Sequence, residues 1–216
     1  MNEAEKQRIL ATYSERLKKY GYSPRTLGWP KGRHRLRYFI LLSHWPLAGT
    51  EILDFGCGFG DMYAYCREQG LEMDYEGMDI NPDLIAEGLQ QHPSARLFVH
   101  DALRDGLPRD YDYVFSSGVH NTKLEDNWSF IEASFELFNR HARRGFAVNF
   151  LSDKVDYPLE HAYHANPGQI VEMAYRFSNR ITLRNDYMPF EFTLFVDKNE
   201  TFDPEIAVYD EFRRSL

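Results

Sequence analysis

Residues 51–61 read EILDFGCGFGD, a short apolar run with Gly56, Gly58 and Gly60 at every second position directly behind it. Glycine gives up more backbone freedom on folding than any other residue, so three in five positions need a cause. Either the backbone takes conformations that a Cβ forbids, or something approaches it closely. The rest of the chain constrains the fold further. Strand-length apolar runs, Ile52–Phe55, Tyr75–Asp79, Leu97–His100, Tyr113–Ser116 and Phe146–Phe150, alternate with helical patterns. These patterns cover Asp61 to about Gln69, Pro82 to about Gln91, and Asn127 to Arg140 with Trp128, Ile131, Phe135 and Phe138 on one stripe. Asn166-Pro167 starts another helix, with Asn as cap and Pro in the first turn. The final runs RITLRND and FEFTLFVDK are joined by YMP, too short a link for a helical crossover, and should pair antiparallel. This alternation predicts an α/β fold: a doubly wound, mostly parallel, Rossmann-like sheet of seven strands with an antiparallel terminal hairpin. Its early strands are continuously apolar, as expected where both faces are covered.

Ahead of the sheet, residues 3–20 place Ile9, Leu10, Tyr13 and Leu17 at helical spacing among charges. The Gly- and Pro-rich GYSPRTLGWPKG must be a loop, and RHRLRYFILLSHW reads as a second helix. The expected division is an N-terminal helical cap over 1–36, the main domain over 37–202 and a polar tail over 203–216. A formal net charge of -8 argues against nonspecific nucleic-acid binding. No stretch is long and apolar enough for a membrane span. The opening MNEAEKQRIL lacks the apolar core of a signal peptide. Cys57 and Cys66 are not placed for a disulfide, and a cytoplasmic location is expected.

In a doubly wound sheet, ligands bind beyond the carboxyl ends of the strands. The glycines stand there, after Phe55. Asp79 ends the second strand, where a carboxylate can accept both cis hydroxyls of a ribose. Asp101 ends the third, placed to accept from an adenine amino group or to leave that to backbone. NAD would suit Asp79 equally. However, Asp61 and Met62 stand where the dinucleotide fingerprint has its third glycine, and a pyrophosphate would be repelled by Asp54 and Asp61. A ligand with a cationic, amino-acid-bearing end tolerates them.

The sequence here resembles the class I S-adenosylmethionine-dependent methyltransferases. EILDFGCGFGDM is similar to their first motif and YEGMDINPDLI to the acidic loop after the second strand. LFVHDA is similar to the adenine-side motif and YDYVFSSGVHN to the fourth-strand motif, all in order across roughly residues 37–151. The resemblance implies S-adenosyl-L-methionine as cofactor. It implies that Asp54 and the Gly56–Gly58 backbone border its methionine part, and that Asp79 holds the ribose with Ile80 against the adenine. Asp101 and Ala102 would flank the adenine amino group, Ser117 and Gly118 would lie by the sulfonium, and Arg37 would meet the cofactor carboxylate.

The acceptor side is read from the cap and the loops after the fourth and fifth strands. Tyr20, Tyr22 and Trp29 with Arg25, Lys31, Arg33, Arg35 and Arg37 suggest a lid over 20–37 that recognises a carboxylate or phosphate, or else a solvated helix start. His120, just past the fourth strand, is the candidate general base, with a structural role as its alternative. Glu160, His161 and His164 fall short of a full zinc ligand set, and no metal is expected. The leading expectation is methyl transfer to oxygen, nitrogen or carbon of a small molecule. The alternatives are an RNA- or protein-directed methyltransferase and a non-catalytic cofactor-binding subunit.

Overall fold

The computed structural model describes residues 1–29 and 33–198. Helix α1 (Glu3–Tyr20) starts in a capping box: the Asn2 side chain accepts from Glu5 N, and the Glu5 carboxylate takes Asn2 N at 2.9 Å. Lys18 and Lys19 sit in its last turn, where the macrodipole favours cations. After a looped stretch come α2 (His34–Leu42), β1 (Glu51–Phe55), α3 (Asp61–Glu68), β2 (Asp74–Asp79), α4 (Pro82–Gln91) and β3 (Arg96–Val99). A short α5 (Ala102–Asp105), β4 (Tyr111–Ser117), α6 (Asn127–His141), β5 (Ala142–Leu151), α7 (Pro167–Ala174), β6 (Arg180–Arg184) and β7 (Glu191–Asp197) complete the series. The cap expected at Asn166 is formed: it accepts from Gln169 N ahead of Pro167, and the structure adds a second of the same kind, Asn81 accepting from Asp83 N and Leu84 N ahead of Pro82.

The sheet runs β3-β2-β1-β4-β5-β7-β6. Its first five strands pair in parallel, and β7 pairs antiparallel with both β5 and β6. The expected sheet and terminal hairpin are therefore present. Strand β5 is twice the length expected, because Ala142–Gly145 extends it back toward α6. One face is filled by Phe135, Phe138, Phe146, Phe150, Ile170 and Phe192, with α5 to α7 over it. The other is filled by Leu41, Ile52, Met62, Tyr113, Phe115 and Phe195, beneath α2, α3 and α4. Each such side chain stabilises by about 1.5–3 kcal/mol on burial.

Helix α2 crosses the boundary expected at 36/37. Its residues Tyr38, Ile40, Leu41 and Leu42 belong to the second core, so the cap consists of α1 and the loop behind it. The tail expected over 203–216 lies outside the described residues.

Candidate active site

The carboxyl ends of β1, β2, β3 and β4 open into one cavity of about 150 Å³. Asp54, Gly56, Gly58, Asp79, Ile80, Asp101, Ala102, Ser117 and Gly118 all border it. They come from four separate segments of the chain, and the sheet order brings them together.

The glycine loop is tied to β2. Gly56 N and Cys57 N both donate to the Met78 carbonyl, at 2.8 and 2.9 Å. Gly56 has φ +74, and a Cβ there would meet Val119 Cγ2 at 2.2 Å. Its glycine is thus demanded by the turn and by its neighbour across the loop, not by a ligand alone. At Gly58, φ is +57 and a Cβ would stand 3.0 Å from Leu27 of the cap. The close approach that the glycines allow is made, in this state, partly by the chain's own lid.

Asp79 has one carboxylate oxygen on Gly58 N (3.0 Å) and the other on Asn81 N (2.8 Å). Burial raises its proton affinity, and the backbone N–H groups of Asn81, Gly58 and Ile80 work against that rise. Each oxygen keeps a lone pair for a hydroxyl donor. Asp54 is buried and accepts from the Tyr75 hydroxyl at 2.7 Å. Desolvation pushes its carboxyl up to about 7; the Tyr75 bond opposes this, while Asp79 and Asp61 add to it. Two carboxylates on one cavity therefore have hydrogen bonds but, among the described residues, no cation. The Ser117 hydroxyl is buried without a partner. A ligand with a cationic end and several hydroxyl donors satisfies all three.

Asp101 is placed differently from expectation. Its carboxylate is held by Lys6 Nζ of α1 at 2.6 Å, both side chains being largely covered. Any adenine contact it makes is shared with the lid.

Two expected site residues stand away from the cavity. Arg37 does not border the cavity. It is buried, forms a two-point pair with Glu191 of β7 (Nε to Oε2, 2.5 Å, and Nη2 to Oε1), and its guanidinium lies 3.6 Å above the centre of the Trp29 ring. Its charge is committed to Glu191, 154 residues further along the chain. His120 does not face the cavity either. It is fully buried with ring centroids 5.3 Å from Phe130 and 5.5 Å from Phe150, and neither ring nitrogen has a partner. Desolvation lowers its pKa to about 3. A neutral imidazole behind the Phe130 ring is no base for a substrate in the cavity.

The lid is also larger than the 20–37 segment. Met1, with Ile9 and Tyr13 of α1, joins Leu27 and Trp29 as its wall, and Phe130 closes the far side. The i, i+4 pair Ile9 and Tyr13 was visible in the sequence, but its target was not. Trp29 would lie 2.9 Å from a Cβ at Gly118, so a side chain there would collide with the indole. Among the described basic residues of the cap, Arg35 pairs with Glu68 at 2.5 Å, Arg25 and Arg33 are exposed, and none borders the cavity. Lys31 lies outside the described residues. His164 is occupied by backbone, accepting from Leu159 N and bonding the Ser152 carbonyl. No metal-binding group of three or more such side chains forms among the described residues.

A family model for a methyltransferase domain matches residues 52–145. A Mycobacterium tuberculosis protein assigned by name to the methyltransferases is 32% identical over 156 residues, covering 68% of this chain and 93% of that protein. The ribosomal RNA small subunit methyltransferase C of Vibrio parahaemolyticus is 27% identical over 136 residues, but those are only 38% of its length. Among solved structures, magnesium protoporphyrin IX methyltransferase of Synechocystis with bound SAH superposes with a TM-score of 0.66 at 15% identity, over 89% of this chain and 97% of that one. Human N-acetylserotonin methyltransferase with SAM gives 0.63 at 17% identity, over 88% and 57%. At these identities the likeness to the solved structures is one of fold.

Proposed function

The chain belongs to the class I S-adenosylmethionine-dependent methyltransferases, and on that ground we propose that it methylates a small molecule held beside Ser117 and Gly118. The observation that carries the reading is the closed cap. Leu27 stands over Gly58 and Trp29 over Gly118, leaving a narrow, largely apolar chamber at the ends of β1 and β4. A chamber of that kind suits an acceptor that can be enclosed, and the charge of -8 disfavours a nucleic-acid backbone.

The residues fit the cofactor. Asp79 would take the ribose hydroxyls, Ile80 and Ala102 the adenine faces, and Asp101 with Lys6 the adenine edge. Asp54 would sit near the cationic methionine end, with the glycine-loop backbone alongside. The cofactor supplies an electrophilic methyl group. The chain's part is to align the acceptor and exclude water, effects that can each be worth several kcal/mol of barrier. His120 is not needed as a base, and Arg37 acts through Trp29 rather than on the cofactor.

RNA methylation is kept as a second reading because of the Vibrio relative. The two are separated with methyl-labelled cofactor, offered in parallel to a bacterial small-metabolite fraction and to ribosomal subunits. Label in the metabolite fraction alone is expected. Label in ribosomal RNA, with none in small molecules, would overturn the proposal.

A further inference from the structure

The indole of Trp29 is held on two sides. The edge of its six-membered ring faces Gly118, where a Cβ would stand 2.9 Å from both Cζ2 and Cη2. The Arg37 guanidinium lies 3.6 Å from its ring centre. That guanidinium is itself fixed. Its two-point pair with Glu191 sets the plane of the fork as well as its place, and both side chains are buried. Glu191 is anchored in turn by Asn149 of β5, whose Nδ2 donates to Glu191 Oε2 at 3.3 Å and to the Tyr187 hydroxyl at 2.9 Å. The Tyr187 hydroxyl also meets Thr193 Oγ1 at 2.8 Å. One chain of contacts therefore runs from the paired strands β5 and β7, through α2, to a ring in the wall of the cofactor cavity.

We propose that Arg37 and Glu191 are positioning residues for methyl transfer: they hold the Trp29 indole against Gly118 and so fix one wall of the chamber in which acceptor and cofactor meet. The inference rests on the reading of the first cavity as the methyl-transfer site. Stability alone gives no reason for the pair. Taking two charges out of water is costly, and apolar side chains of similar volume often match or surpass a buried ion pair. The surroundings would accept them. Leu41, one turn on from Arg37, and Phe195, on the same face of β7 as Glu191, both belong to the second core. An apolar pair could not supply a flat cation held in one plane. Indole attracts a cation more strongly than the other aromatic rings do, and more so where water is excluded. Trp29 needs such a partner because it lies in a loop, with no helix or strand to direct its side chain. Its N–H bonds the Pro24 carbonyl of the same loop at 2.8 Å, which leaves the place of the ring over the sheet to side-chain contacts. Gly118, with φ +80 and no Cβ, lets the ring edge close onto the end of β4. A small displacement of a group that aligns reactants costs rate out of proportion to its size.

The two charges can be removed together. With Arg37→Met and Glu191→Leu in one protein, no buried charge is left without its partner and Asn149 keeps the Tyr187 hydroxyl, so the fold should persist. Fluorine NMR on protein carrying 5-fluorotryptophan reads its three indoles separately, and Trp29→Phe assigns the resonance of Trp29. Trp45, stacked on Tyr113 at 4.6 Å against the second core, is the internal control. In the double variant the Trp29 resonance should move toward its unfolded position and broaden with a soluble paramagnetic agent, while that of Trp45 stays in place. SAH should leave the double variant at least threefold faster than the wild type. A Trp29 resonance that keeps its wild-type position, or a release rate that rises less than threefold, would overturn the positioning role. A Trp45 resonance that moves together with that of Trp29 would overturn it too, since the pair would then support the whole fold. A wild-type protein that does not bind SAH would overturn the cofactor reading and the positioning role together, whereas normal wild-type binding with an unchanged release rate in the double variant condemns the role alone.

Discussion

Asp54 and His120 are both buried, and burial shifts their stability contributions in opposite directions with pH. The Asp54 carboxyl is raised from 3.8 to about 7. Between those values the folded protein holds a proton that the unfolded chain has released, so stability falls as pH rises through the window. Asp79, raised for the same reason, adds in the same sense. The His120 imidazole is lowered from 6.5 to about 3. There the unfolded chain binds a proton that the folded one refuses, so stability is lost as pH falls below 6.5. Each contribution is on the order of 4 kcal/mol at its limit, and they oppose one another over most of the acid range. Single variants should expose them. Relative to wild type, His120→Leu should be stabilising by more at pH 4.5 than at pH 7.5, because an imidazole with two unpartnered nitrogens gains nothing from its site. Asp54→Asn should gain more at pH 7.5 than at pH 4.5. Urea melts at the two pH values check both signs, and parallel slopes for variant and parent would refute the burial argument. With a true acceptor in hand, His120→Leu should also retain the wild-type pH profile of activity.

Helix α1 was legible as a helix, and its role was not. Its capping box, its charge pattern and its apolar stripe lie within a few residues of one another. Its destination depends on contacts roughly 70 to 120 residues away. Lys6 reaches Asp101, Asn81 Nδ2 bonds the Leu10 carbonyl at 3.2 Å, Ser14 bonds Asp83 at 2.6 Å, and Glu5 accepts from Glu125 N at 2.7 Å. The same distinction explains the site. Asp54 and Asp79 lie at the ends of β1 and β2, and Asp101 just beyond β3, so their positions follow once the strands are recognised. Arg37 and His120 are decided by β7, α6 and β5, and no local pattern announces the Glu191 carboxylate or the phenylalanine cage. The Lys6–Asp101 pair ties α1 to the segment after β3. For a partly covered pair worth about 1 kcal/mol, Lys6→Met should speed SAH release about fivefold. Stopped-flow fluorescence, with Trp29 in the cavity wall as reporter, measures that rate. An unchanged rate would mean that the pair does not hold the lid.

Across the whole molecule, the sheet and the lid are held by different means. Strands β1, β4, β5 and β7 are paired on both sides, with Ile52, Phe115, Phe150 and Phe195 almost wholly buried among them. The lid touches this body chiefly through polar side chains and through Leu27, Trp29 and Tyr22, whose ring meets Phe59 edge-on at 5.1 Å. Met1, Ile9, Tyr13, Leu27 and Trp29 wall the cavity, so a cofactor that fills it is expected to displace that segment on entry. A segment with few buried apolar anchors opens at lower free energy than the sheet does. Once a ligand fills the cavity, the lid gains contacts that its open state lacks, and its opening equilibrium shifts by the ligand's preference for the closed form. Amide hydrogen exchange should therefore slow in residues 3–29 on adding SAH, while β4 and β5, already protected by global stability, change little. Equal slowing across lid and sheet would show that the ligand stabilises the whole fold as one unit and that no separate lid motion admits it.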